Sequence, residues 1–292
     1  MTRRNNADRV GAPHPDAPDT FEIEPGPDPM GPDPLAFIVP TEFVALPSAG
    51  QYYPESHPLC GEETVEIKFM TAKEEDLLSS KSLIEKGIVL DRLIDSLLVD
   101  NRIRSRDLLV CDRNAILVHA RSSGYGSEYN TTLGCRSCGE TDKYDYDLSA
   151  ANVQGPLTEE ELTSINAEHL GDGHFKTSIP GSPVHLVFRL LNGHDERGMV
   201  DLSEKRKKRK QSDRLVTDQL NFMIVSVLDH DDRETISRYV DSLPLRDSRF
   251  LRKAYDAVSP SITLRKEFVC NHCGYEDDIT FPFTTDFFWP DV

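Results

Sequence analysis

The sequence has no run approaching the roughly 18 apolar residues that a membrane-crossing helix needs, and its first twenty residues lack an apolar signal core. Both absences predict a protein made and kept in a cytoplasm unless something carries it out. Cations are also scarce: 33 Lys and Arg stand against 50 Asp and Glu. The resulting net charge of −17 repels nucleic acid and anionic membrane. Catalytic signatures are missing too. There is no P-loop, no G-x-G-x-x-G, no H-E-x-x-H and no G-x-S-x-G, and no local carboxylate pair stands out from the acidic background. The chain reads as a non-enzyme.

What remains is a chain of 292 residues, 38% apolar and 28% charged, a balance that suits a globular protein with a disordered part. That part is predicted at residues 1–34, where eight prolines and seven carboxylates surround only two large apolar side chains, Phe21 and Ile23, Met30 aside. Order is expected from Leu35, as a single composite domain over 35–292. "FIVPTEFVALPSAGQYYP" suggests a short strand and a loop pinned by Tyr52 and Tyr53, and "ETVEIKFM" has the period of a half-buried strand.

Helices should follow. Thr71 and Glu74 stand at capping-box spacing, 82–99 carries an apolar helical stripe, and 112–124 reads as a helix with Asp112 as N-cap and Gly124 as stop. His119 within it reads as a satisfied core or surface histidine. Residues 150–182 are polar, with one helical candidate at "TEEELTSINAEHL". A strand at 182–191 and helices over 213–228, 231–242 and 246–258 complete the pattern, whose apolar stripes read as core.

Of six cysteines, four form two matching turns, Cys135-x-x-Cys138-Gly and Cys270-x-x-Cys273-Gly. This usage suits a reducing compartment and a metal better than a disulfide framework. Alternating apolar residues flank each turn, so two hairpins over 128–148 and 264–283 should present four thiolates to one tetrahedral Zn2+ as a zinc ribbon. Glycine after each second cysteine permits the left-handed turn that aims amides at sulfur. His272 is expected to point outward, and Cys60 and Cys111 to be small buried apolar residues. The 131 residues between Cys138 and Cys270 would cost about 4 kcal/mol to close as a loop. Structural zinc contributes about 10–16 kcal/mol in small peptides, which outweighs it. A tetrathiolate site has no open position, so the metal would be structural.

Two further stretches are candidate contact surfaces. Six consecutive cations, Lys205 to Lys210, read as a basic loop over 204–211. That loop is either solvated or a finger, through Lys205, Lys207 and Lys208, for an acidic neighbour. Its use as part of a nucleic-acid-binding zinc-ribbon module is the alternative, which the acidic background opposes. Near the chain end, Phe287, Phe288 and Trp289 read either as interface anchors or as core.

Several stretches together resemble one family. "FVALPSAGQYYPESHPL", "MTAKEEDLLSSKSL", "DRNAILVHARSSGYGSEY" with its C-x-x-C-G, "DSRFLRKAYDAVSP", "FVCNHCG" and "FPFTTDFFWPDV" look like the baseplate hub proteins of T-even-like contractile-tailed bacteriophages. The similarity runs with gaps from about Phe43 to Pro290. It implies a structural or assembly protein of the baseplate hub, made in the host cytoplasm and destined for tail assembly or the virion. Its partners would be other hub and tail proteins, with no small-molecule substrate. The expected fold class is α+β: helical segments with short antiparallel strands and a two-hairpin zinc ribbon drawn from distant parts of the chain.

Overall fold

The computed structural model describes residues 39–281 and 285–288. The arm expected over 1–34, the onset of order expected at Leu35, and Trp289 lie outside the described residues. Two strands come first. β1 (Thr41–Ala45) pairs antiparallel with β2 (Thr64–Lys68), Val44 opposite Val65, and their alternation buries one face. The loop between them is pinned as expected, with Tyr52 and Tyr53 both buried.

α1 (Ala72–Ser79) begins at the capping box, where the Glu74 carboxylate accepts from the Thr71 amide at 3.0 Å. The stripe expected over 82–99 forms two helices, α2 (Lys81–Glu85) and α3 (Val89–Leu97), parted at Gly87. Leu93, Ile94 and Leu97 of α3 are fully buried.

α4 (Val110–Tyr125) is the centre of the molecule. Ala115, Ile116, Leu117, Val118 and Ala120 are all buried, so the helix is packed on every side. It is longer than the sequence suggested. Asp112 lies inside the first turn and does not cap it, and Gly124 lies within the helix; Gly126 follows the last turn. Three buried charges along α4 each tie it to a different element. Asp112 accepts from the Ser48 amide (3.1 Å), Ser48 Oγ (2.6 Å) and Tyr53 Oη (2.7 Å), which fixes the β1–β2 loop. Arg113 donates to Asp91 Oδ1 of α3 at 2.7 Å and to the Ser105 carbonyl. Arg121 donates to the carbonyls of Gly126 (2.9 Å), Glu128 (3.4 Å) and Phe287 (3.3 Å) and lies over the rings of Tyr125 and Tyr129.

β3 (Glu128–Gly134) and β4 (Thr141–Asp147) form one hairpin, and a short β5 (Asn152–Gln154) follows. The helix expected over 158–170 stops early. α5 (Glu159–Ser164) gives way to β6 (Ala167–Gly171), which turns at Asp172-Gly173 into β7 (His174–Ser178). Asp-Gly between alternating segments is a strong hairpin signal, and it wins over the helical period of the preceding residues. β8 (His185–Arg189) pairs with β7 as the strand expected there.

α6 (Gly193–Lys208) corrects the basic loop: Lys205, Lys207 and Lys208 occupy its last turn. Its Asn192 cap and Asp195 start it firmly, and cations at its C-terminus are favoured by the helix dipole. α7 (Leu215–Met223) ends where the β-branched run Ile224–Val227 becomes β9, an edge strand on β8, in place of the helix expected to 228. α8 (Arg233–Ser242) and α9 (Leu245–Val258) match their expected spans closely. β10 (Ser261–Thr263) pairs with β5, and β11 (Arg265–Val269) with β12 (Glu276–Thr280). Thr285–Phe288 form a 3₁₀ turn.

The architecture is therefore α+β, with every strand pairing antiparallel and one four-stranded sheet in the order β6-β7-β8-β9. One main apolar core joins β1, β2, α1, α3, α4, the sheet, α7–α9 and the terminal Phe287 and Phe288. No helix of the described residues is long and apolar enough to cross a membrane.

Candidate metal centre

Alternation along each hairpin decides what its turn can do. In β3–β4, Tyr129 and Tyr146 face each other and are buried, while Thr131 opposes Tyr144 nearer the turn. In β11–β12, Phe268 is buried and Ile279 partly so. Tyr129 and Tyr146 meet Phe281 with ring centroids 5.7 and 5.4 Å apart, which roots both hairpins in the main core. Farther out, Phe268, Cys135 and Cys270 form a small core of their own with Leu133, Tyr144 and Ile279 around it. The ribbon is thus a lesser body standing on a greater one.

The two turns have the same hydrogen bonds. The Cys135 amide donates to the Glu140 carbonyl (2.8 Å) and the Cys270 amide to Tyr275 (2.9 Å); Gly139 donates back to Cys135 (2.9 Å) and Gly274 to Cys270 (2.9 Å). Gly139 at φ +77° and Gly274 at φ +70° take the left-handed conformation that a side chain disfavours. In the first turn, the Ser137 amide points at Cys135 Sγ from 3.3 Å.

These turns bring the four sulfurs together across the hairpins. Cys135 Sγ lies 3.6 Å from Cys273 Sγ, and Cys138 Sγ lies 3.6 Å from Cys270 Sγ. All four lie within 4.8 Å of one another. A tetrahedron with ligands at about 2.3 Å has edges of about 3.8 Å, so the cage fits a zinc-sized ion. Cys135 and Cys270 are buried and Cys138 and Cys273 are exposed, so the site is capped by solvent on one side only.

Electrostatics point the same way. An amide, that of Cys138, directed at the Cys135 sulfur holds that thiol down at about 6. At Cys138 the Glu140 amide acts to lower the value, yet burial and the thiols of Cys273, Cys135 and Cys270 carry it up to about 12. One thiolate therefore forms readily and opposes ionisation of its neighbour. A divalent cation at the centre removes that conflict, because it favours all four as thiolates.

A near two-fold relation links the hairpins. Arg136, next to Cys135, reaches Asp277 on β12 at 3.2 Å; Asn271, next to Cys270, reaches Asp142 on β4 at 3.2 Å. Each aspartate lies four residues beyond the second cysteine of its own turn. His272 points away from the sulfurs, half exposed, with Nε2 3.4 Å from Asp142. Tyr144 Oη donates to the Val269 carbonyl at 3.2 Å and ties the hairpins lower down.

Other expected site residues sit elsewhere. Lys205, Lys207 and Lys208 are exposed at the end of α6. Phe287 and Phe288 are buried, 1% and 0% exposed, with Phe287 against Tyr129. Of the two readings left open for them, the burial is that of core: Phe287 packs on Tyr129 and Phe288 on Phe287. Cys111 is buried as expected, but Cys60 is exposed. His119 pairs with Glu42 at 3.0 Å. Sequence reasoning missed the roles of Asp112, Arg113 and Arg121. The available signal was three charges in a helix whose middle, Ala115–Val118 with Ala120, is apolar on every side.

A family model described as T4 bacteriophage base plate protein matches residues 41–289 of the chain. No curated protein and no solved structure matches it.

Proposed function

The chain belongs to the family of T4 bacteriophage base plate proteins, and on that premise we propose that it is a non-enzymatic component or assembly factor of the baseplate hub. It works through contacts with other hub and tail proteins, is made in the host cytoplasm, and acts in the tail baseplate. The observation that carries this reading is the family match over 41–289, which spans both cysteine turns. Within it, Cys135, Cys138, Cys270 and Cys273 hold a structural Zn2+. Four thiolates leave no position for substrate or water, so the metal supplies cohesion between the two hairpins. Residues 35–292 act as one domain, and 1–34 as a tether whose proline and carboxylate content disfavours folding.

A pull-down of tagged protein from infected cells, with and without assembled baseplates, tests the reading. Recovery of hub and tail proteins is expected, and it should be lost when Cys135 or Cys270 is replaced by serine. Recovery of nucleic acid alone, released by salt, would instead favour a nucleic-acid-binding ribbon.

A further inference from the structure

Six consecutive cations, Lys205 to Lys210, occupy the last turn of α6 and the residues just beyond it. Arg206 is bound through its guanidinium to Asp218 of α7, and Ser203 Oγ to Asp213 at 2.9 Å, so this end of the helix is fixed in place. Lys205, Lys207, Lys208, Arg209 and Lys210 are exposed and enter no ion pair among the described residues. Like charges three and four apart on a helix repel, as Lys205 does with Lys208 and Arg209. That repulsion offsets part of what the helix dipole contributes, and among the described residues only Arg206 of the six is within ion-pair distance of a carboxylate.

The ribbon has the opposite character. Residues 128–148 and 264–283 hold nine carboxylates against four cations. Asp142 and Asp277 are engaged across the hairpins, but Glu140, Glu276 and Asp278 are exposed near the metal end. α6 begins beside the start of α4, where Arg113 meets Glu196 at 3.2 Å, while the ribbon leaves the other end of α4. No ion pair among the described residues joins the basic tip to the ribbon. One chain thus presents two exposed surfaces of opposite sign that do not neutralise each other.

We propose that the basic end of α6 docks on the acidic ribbon of a second copy of this chain. At physiological salt the Debye length is about 8 Å, so a contact responds to these local patches more than to the net charge of the whole molecule. The two surfaces differ, which makes the contact head-to-tail: successive copies close into a ring or extend as a filament.

Mass measurement by light scattering across protein concentration and salt tests this on the full chain. Near 0.1 M NaCl, where the Debye length is about 10 Å, mass should rise with concentration to at least twice the 32.9 kDa of one chain. At about 1 M salt it should return to one chain. A tip variant (Lys205→Glu, Lys207→Glu, Lys208→Glu) and a ribbon variant (Glu140→Lys, Glu276→Lys, Asp278→Lys) should each remain single chains alone. Mixed together they should associate again, since each then offers what the other lacks. Melting temperatures equal to wild type would show that both are folded, and the salt dependence of the unaltered protein stands without them. A single-chain mass at every concentration in low salt overturns the proposal. So does association of either variant at the wild-type level, or a mixture that stays dissociated.

Discussion

Replacing Asp112 by alanine separates two accounts of one residue by their size. As an exposed N-cap it would be worth about 0.5–2 kcal/mol. The structure places it fully buried, accepting from the Ser48 amide, Ser48 Oγ and Tyr53 Oη, with no cation paired to it among the described residues. Alanine leaves the Ser48 amide and the Tyr53 hydroxyl without that acceptor, each at about 1–3 kcal/mol. It also opens a small void beneath the β1–β2 loop. Burial of the carboxylate itself is unfavourable and offsets part of this, so the expected loss is about 3–5 kcal/mol. For a domain of this size, that corresponds to a fall in Tm of about 6–20 °C. Tyr53→Phe should lose less, because Tyr53 Oη also accepts from the Leu109 amide at 3.0 Å and only those two bonds are removed. The double variant should lose less than the two single losses combined, because both cut the same bond. The pH dependence is distinctive as well. Burial raises the Asp112 pKa above its unfolded value, so its contribution favours the folded state at low pH and is lost as pH rises through the raised value. Urea titration with m unchanged gives the free energies. A loss below about 1 kcal/mol for Asp112→Ala would refute the buried network and restore the cap.

Purified protein should contain about one zinc per chain by elemental analysis, and Cys135→Ser or Cys270→Ser should lower both zinc and solubility. Full occupancy after loss of all four cysteines would contradict this. Zinc should also be released on acidification, since its ligands must be thiolates. Phe288→Ala should destabilise the chain by about 3–5 kcal/mol in denaturant titration, as befits a fully buried ring. Charge reversal at Lys205, Lys207 and Lys208 should change stability by less than about 0.5 kcal/mol. Deletion of residues 1–34 should leave Tm nearly unchanged by calorimetry, because the segment holds too little apolar surface to fold; a drop of many degrees would show that it docks.

The most local features were the most legible. Each C-x-x-C-G turn specifies its own geometry, and strand alternation on either side specifies its own faces, so the pairing of β3 with β4 and of β11 with β12 can be read without a third element. The capping box at Thr71 and Glu74 is likewise a matter of four residues. Helix-to-strand changes were harder. Residues 224–227 continue a helical period, and β-branched Ile224, Val225 and Val227 become a strand with the neighbouring β8 to pair with. Asp112, Arg113 and Arg121 were least legible, because each takes its meaning from a partner at least eight residues away or across the fold. Phe287 and Phe288 could be placed inside only once Tyr129 was known to meet Phe287, and Phe287 to meet Phe288.

The distance between the two cysteine turns has a consequence in time. The ribosome delivers Cys138 early and Cys270 only after 131 further residues. At about 5–20 residues per second that interval is on the order of 10 s, during which the first hairpin can offer a metal two thiols and nothing more. A nascent chain that stops before Cys270 never acquires the second pair. The cage therefore reports that translation has passed Cys273: until then the first turn stands as half of a site, and only the later hairpin can complete it.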